Sequence, residues 1–197
     1  TGATSVTAGT LRITNTNALG GATGGTISVG NSSTLSMNLS GNSLANTNTM
    51  TLTGSAILID TAAAAETDTL NNPIILTAAG TQTITSTNAG ALFHLTGNIT
   101  NNTAALAINA VGDMTISGII GNGTGSVTKS GAGNLTLEGL NTYTGLTRVN
   151  AGVLTVNVLD NGGVASNIGA STNAAANLVF GGGTLQYTGG SVTIDRN

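Results

Sequence analysis

The chain has no cysteine, a single proline and very little charge: Asp, Glu, Lys and Arg make up 6% of its 197 residues, against roughly a quarter in an ordinary soluble domain. Each absence excludes something. Without cysteine there is no disulfide framework of the kind that holds small secreted domains together, so buried apolar surface must do that work. The basic residues are Arg12, Lys129, Arg148 and Arg196. Scattered in this way they offer neither a track for nucleic acid nor a polybasic patch for a membrane surface. No apolar run is long enough to span a bilayer, so direct membrane insertion is not expected. No leader is visible at the start, and the sequence reads as a fragment or mature segment of something longer. Disordered proteins are rich in charge and proline and poor in aliphatics, whereas 39% of this sequence is hydrophobic.

What is abundant is Thr, Asn, Gly, Ser and Ala, with Leu, Ile and Val recurring throughout. Threonine is β-branched, favours strands and tolerates water. An all-β protein with a neutral polar coat follows. Within short segments the apolar residues alternate: Met114 and Ile116, Leu135 and Leu137, Leu154 and Val156 point one way, while Thr115, Thr136 and Thr155 point the other. Anchors at Leu76, Leu95, Ile116, Leu137 and Val156 are 19, 21, 21 and 19 residues apart, and Val179 continues the series. A near-constant interval with glycine at the corners predicts a solenoid, in which each coil returns the backbone above its previous position. Toward the amino end, Val6 to Ile13, Leu35 to Leu39 and Ile57 to Ile59 are candidate rungs. The segment Ala62 to Leu70 is expected to be a loop or a single turn, ending before Pro73.

Residues 1–13 repeat residues 144–156 with seven of thirteen positions identical and no gap. The larger segment reads Lys129-Ser-Gly131-Ala-Gly133-Asn-Leu135-Thr-Leu137-Glu-Gly139-Leu-Asn141-Thr142-Tyr143-Thr-Gly145-Leu-Thr147-Arg-Val149, followed by Gly152-Val-Leu154. It resembles the autotransporter-associated β-strand repeat, also called the passenger-associated transport repeat. That resemblance implies a right-handed, single-stranded parallel β-helix, exported to the outer surface of a bacterium as the stalk or adhesive passenger of a large surface protein. It also implies that the repeat helps the passenger fold and exit. About nine coils are expected, forming one β-helical segment over residues 1–197, with the repeat at 129–156 and its partial copy at 1–13.

Catalytic chemistry is sparse. Of the acids, only Asp60, Glu66 and Asp68 lie close in sequence; they read as a solvated loop, or as a weak calcium site without the glycine-rich repeat of calcium-loaded rolls. His94, the single histidine, sits between Phe93 and Leu95, so alternation turns it outward without a catalytic partner. The runs Gly121 to Gly125 and Gly181 to Gly183 lack the phosphate-loop lysine and read as turns. Tyr143 and Tyr187 could stack on sugars, although the repeat uses a tyrosine at position 143 to pack a corner. Sequons begin at Asn31, Asn38, Asn98, Asn101, Asn122 and Asn134. Alternating threonines at Thr47 to Thr53 and Thr81 to Thr87 would suit ice binding if they stacked on one face; Ile57 and Ile59 interrupt such a rank. The expected role is a structural or adhesive fibre segment without enzymatic activity, cofactor or metal. Its expected partners are flanking β-helix of the same polypeptide, stacked copies, or ligands on host or bacterial cells, with no nucleic acid. The alternatives are a carbohydrate-active β-helix enzyme, a carbohydrate binder or an ice-binding solenoid.

Overall fold

The polypeptide visits three parallel sheets in turn. The structure, a computed structural model, describes residues 2–20, 22, 25–77 and 80–196; Thr1, the first position of the partial repeat, lies outside them. Strands β1 (Thr4–Val6) and β2 (Thr10–Ile13) are followed by β3 (Ile27–Val29) and β4 (Thr34–Met37) on the first and second faces. Four coils then carry a strand on every face. They are β5 (Met50–Leu52), β6 (Ile57–Asp60) and β7 (Thr67–Leu70); β8 (Ile74–Leu76), β9 (Thr81–Ser86) and β10 (Leu92–Leu95); β11 (Ile99–Thr100), β12 (Ala105–Ala110) and β13 (Asp113–Ile116); and β14 (Ile120–Gly121), β15 (Val127–Ser130) and β16 (Asn134–Leu137). On the second and third faces β17 (Thr147–Val149) and β18 (Val153–Val156) follow, then β19 (Leu178–Phe180) and β20 (Thr184–Tyr187). Before β19 lies a single 3₁₀ turn, Ala175–Asn177. Among the described residues every strand ladder is parallel, so this is a parallel β-helix.

The nine coils expected are too many. Among the described residues two faces hold six strands and the second holds eight, which makes about six turns. The reason is that a coil often takes more than 20 residues: Leu70 and Leu95 stack although 25 positions separate them. Corners absorb the extra residues, and the strands keep their register.

The inner ladder on the third face runs Leu70, Leu95, Ile116, Leu137, Val156, Tyr187. Leu95, Ile116, Leu137 and Val156 are at most 1% exposed, and burying an aliphatic residue of this size stabilises the fold by roughly 1.5–3 kcal/mol. Two anchors belong elsewhere. Leu76 is buried on the first face, stacked on Leu52, and Val179 pairs with Arg148 on the second. The residue that precedes Leu95 in its ladder is Leu70, inside the segment expected to be a loop: Thr67–Leu70 is strand β7, and the backbone turns at Ala65, whose φ is +67°. The outward rank of this face is Thr69, His94, Thr115, Thr136, Thr155, Gln186. Inside apolar, outside threonine, is what a period of two on a half-buried strand requires.

Candidate functional site: the repeat coil

Lys129 faces inward. It occupies a place in the second face's inner column, between Ile108 below and Val149 above, and is 1% exposed. A buried ammonium needs partners for its N–H bonds. Lys129 Nζ donates to the carbonyls of Ser130 (2.8 Å), Gly131 (2.8 Å) and Ala151 (3.2 Å), the last in the coil above. One ammonium thereby satisfies two stacked corners. Burial pulls its pKa down to about 8, and the Asp113 carboxylate opposes that shift. The corners are tight enough to need glycine. Gly131 has φ +78°, and a β-carbon there would lie 2.3 Å from the Ala110 carbonyl oxygen; such a backbone and such an approach suit no other residue.

Asn141 is fully buried and ties three levels of the helix together. Its Oδ1 accepts from the Ile120 backbone N–H (2.7 Å) and its Nδ2 donates to the Asn167 carbonyl (2.6 Å). Tyr143, also fully buried, donates its hydroxyl proton to Thr147 Oγ1 (2.7 Å), which in turn donates to the Ile168 carbonyl (3.1 Å). Burial holds the Tyr143 phenol well above its ordinary pKa, so it stays neutral. Lys129, Asn141, Tyr143 and Thr147 of the motif therefore lie in the core, where Lys129, Asn141 and Thr147 bond backbone groups and Tyr143 bonds Thr147, while Thr142 is exposed.

Two residues outside the motif complete this end. Asn167 Oδ1 accepts from the N–H groups of Asn157 (2.9 Å) and Val158 (2.8 Å), and its Nδ2 donates to the Gly139 carbonyl (3.0 Å). Arg196 spends its guanidinium on the loop after β18. It donates to the carbonyls of Asp160, Asn161, Val164 and Gly169 and to Ser171 Oγ. In the sequence Arg196 is one of four scattered bases, and nothing singles out Asn167. Neither carries a local signal, because their partners lie up to 36 positions away.

The partial copy adopts the same strand–corner–strand path in a different place. Val6 and Val149 end the first strands, Gly9 (φ +70°) and Gly152 (φ +65°) turn the corners, and Leu11 and Leu154 are the second residues of the next. Yet β1 and β2 lie on the first and second faces, whereas β17 and β18 lie on the second and third. The motif encodes a corner, not a face.

The acids expected in a solvated loop are divided. Glu66 Oε2 caps the turn by accepting from the Ala63 N–H (2.9 Å). Asp60 and Asp68 point inward instead and are at most 1% exposed. Asp68 accepts from the N–H groups of Leu39 (2.5 Å) and Gly41 (2.8 Å). Asp60 Oδ1 accepts from Ala62 N–H (3.3 Å), and Oδ2 finds no donor among the described residues. Burial first, then the Asp68 charge and a hydrogen bond with it, push Asp60 up to about 8. Burial beside Asp68 thus favours the neutral form of Asp60. The alternation places Asp60 and Asp68 on the inner parity, which their polarity conceals. Among the described residues no group of three or more His, Cys, Asp or Glu is placed to hold a metal ion.

His94 is half-buried and outward-facing, with Nε2 3.0 Å from Ser117 Oγ. Tyr187 sits half-buried above Val156. The two threonine runs fall on different faces, since β5 belongs to the first and β9 to the second.

Residues 1–13 and 127–156 match the family described as the passenger-associated-transport repeat. The protein is also similar to the adhesin BmaC autotransporter of Brucella suis biovar 1 (strain 1330), 55% identical over 58 residues; these are 29% of this sequence and 2% of that much longer protein. No solved structure matches. The two matching segments, residues 127–156 and 1–13, thus lie in one parallel β-helix.

Proposed function

We propose that this polypeptide is a structural, adhesive stalk segment of an exported bacterial surface protein, displayed outside the outer membrane and without enzymatic activity. Within it the repeat is a stitch that locks successive coils as the passenger emerges and folds. One observation carries this reading: the repeat's Lys129, Asn141, Tyr143 and Thr147 are buried, and Lys129, Asn141 and Thr147 bond across coils, Tyr143 joining them through Thr147. A passenger that emerges end-first needs coils that hold once formed, because each coil rests only on its neighbours. Similarity to an adhesin supports the adhesive role and the surface location. The partners proposed are ligands on host or bacterial cells and further β-helix at the edges, from the same polypeptide or from stacked copies. At one edge β19 and β20 are paired on one side only, and Phe180 is 51% exposed; unpaired strands of this kind bind more β-structure.

The test is display of the protein fused to a translocating outer-membrane barrel. Lys129→Met and Asn141→Ala should lower the amount of protease-resistant passenger on the cell surface, while Thr136→Ala, on the outer rank, should not. Undiminished display of both core variants would count against the stitch.

A further inference from the structure

Six asparagines open sequons; one of these, Asn122, and a further asparagine, Asn161, are followed directly by glycine. Their surroundings differ. Asn161 is held from both sides: its Oδ1 accepts from the Asp195 N–H (3.0 Å), and the Gly162 N–H donates to Asp195 Oδ1 (2.7 Å). Its carbonyl also accepts from Arg196. Asn122 is exposed, with φ +71°. Among the described residues its side-chain amide makes no hydrogen bond, and the Gly123 N–H donates none. The other sequon asparagines are occupied: Asn31 by Ser55, Asn38 by Thr61, Asn98 by Ile119, Asn101 by Gly125 and Asn134 by Thr136.

We propose that Asn122 is a site of spontaneous covalent modification, where the folded β-helix converts a neutral amide into a carboxylate. The Gly123 amide nitrogen attacks Asn122 Cγ, the bond from Cγ to Nδ2 breaks, and ammonia leaves with the proton from the attacking nitrogen. Water then opens the resulting succinimide to aspartate or isoaspartate. No oxidant, enzyme or cofactor is required. Glycine permits the approach because it has no β-carbon to obstruct the closing ring. Asparagine is a thermolabile residue for this kind of reason, and here a free amide and a free N–H meet on the surface.

The position gives the reaction consequences. Asn122 lines a shallow groove of about 180 Å³ on the first face with Asn98, Thr100, Ile119 and Thr142. Nothing in that lining is charged, so the new carboxylate would be its first. The isoaspartate product adds a backbone methylene where Gly123 presses on Asn102: a β-carbon on Gly123 would lie 1.5 Å from the Asn102 carbonyl oxygen. Lengthening the backbone there should also loosen the bond from the Thr144 N–H to the Gly123 carbonyl (2.9 Å).

The experiment is incubation of the folded protein in mildly alkaline buffer with peptide mapping by mass spectrometry. Asn122 should gain about one dalton roughly tenfold faster than Asn161, as local hydrogen bonding controls local reactivity. In denaturant the two should react at similar rates. Asp195→Ala, which frees the Gly162 N–H but keeps the residue-195 backbone N–H on Asn161 Oδ1, should raise the Asn161 rate while leaving Asn122 unchanged. Equal rates in the folded wild-type protein, or a folded Asn122 slower than Asn161, would overturn the proposal.

Discussion

A β-carbon at Gly152 would sit 2.9 Å from the Nζ of Lys129 and 2.5 Å from the carbonyl oxygens of Gly131 and Gly133. The lysine and the glycine therefore define one corner together: the glycine leaves the space and the lysine holds the carbonyls around it. Gly152→Ala should disrupt the corner by both its positive φ and this crowding. Lys129→Met keeps an unbranched residue in an aliphatic column but strands three carbonyls, which should cost about 1–3 kcal/mol. Denaturant unfolding should show this loss; a change within error would place the lysine outside the stabilising network.

The Asp60–Asp68 pair sets a pH dependence. Asp60 moves from 3.8 in the unfolded polypeptide to about 8 in the fold. Between those values the folded state holds one more proton than the unfolded state. Stability from this group is fully present below 3.8 and is lost as pH rises through about 8, at roughly 1.4 kcal/mol per pH unit. Lys129 works in the opposite sense: its pKa falls from 10.5 to about 8, so its contribution is present above 10.5 and lost as pH falls through 8. Denaturation midpoints measured from acid to neutral pH should fall as pH rises. Asp60→Asn should flatten that slope, and an unchanged slope in the variant would assign the effect elsewhere.

Leu137→Ala removes an inner rung between Ile116 and Val156 and should cost about 2–5 kcal/mol. Thr136→Ala, one residue away on the outer rank, should stay within about 0.5 kcal/mol. Similar losses for the two, read from denaturant melts, would contradict the assigned faces.

Tyr143→Phe leaves Thr147 Oγ1 without the phenolic donor but keeps the ring. The expected cost is about 1 kcal/mol, against about 3–5 kcal/mol for Tyr143→Ala, which also opens a cavity. Calorimetry that ranks the two alike would mean that the ring's packing does not matter.

The regular half of the fold is legible in the sequence because Leu95, Ile116, Leu137 and Val156 are aliphatic and evenly spaced. Leu70 is hidden because Asp68 occupies the inner position before it, so strand β7 reads as polar. Leu76 belongs to a different face from the other anchors, which the pattern does not reveal: strands on adjacent faces share one alternation, and parity alone does not number the faces. The inward turn of Lys129 is readable, since Val127 and Lys129 share a parity. Its bond to Ala151 and those of Asn141 are not: those partners lie on coils 21 to 26 residues away, and bonds between coils leave no mark on local sequence.

The most direct test of the repeat as the stitch of this β-helix is native-state hydrogen exchange. Backbone amides that bond across coils to or from it, including Ile120 to Asn141 Oδ1, Thr142 to Ile120 and Asn150 to Lys129, should open only with global unfolding. In Lys129→Met the Asn150 amide should become the first of these to exchange. If the amides of the repeat exchange as fast as those of the edge strands β1 and β19, the repeat is not what holds the coils together.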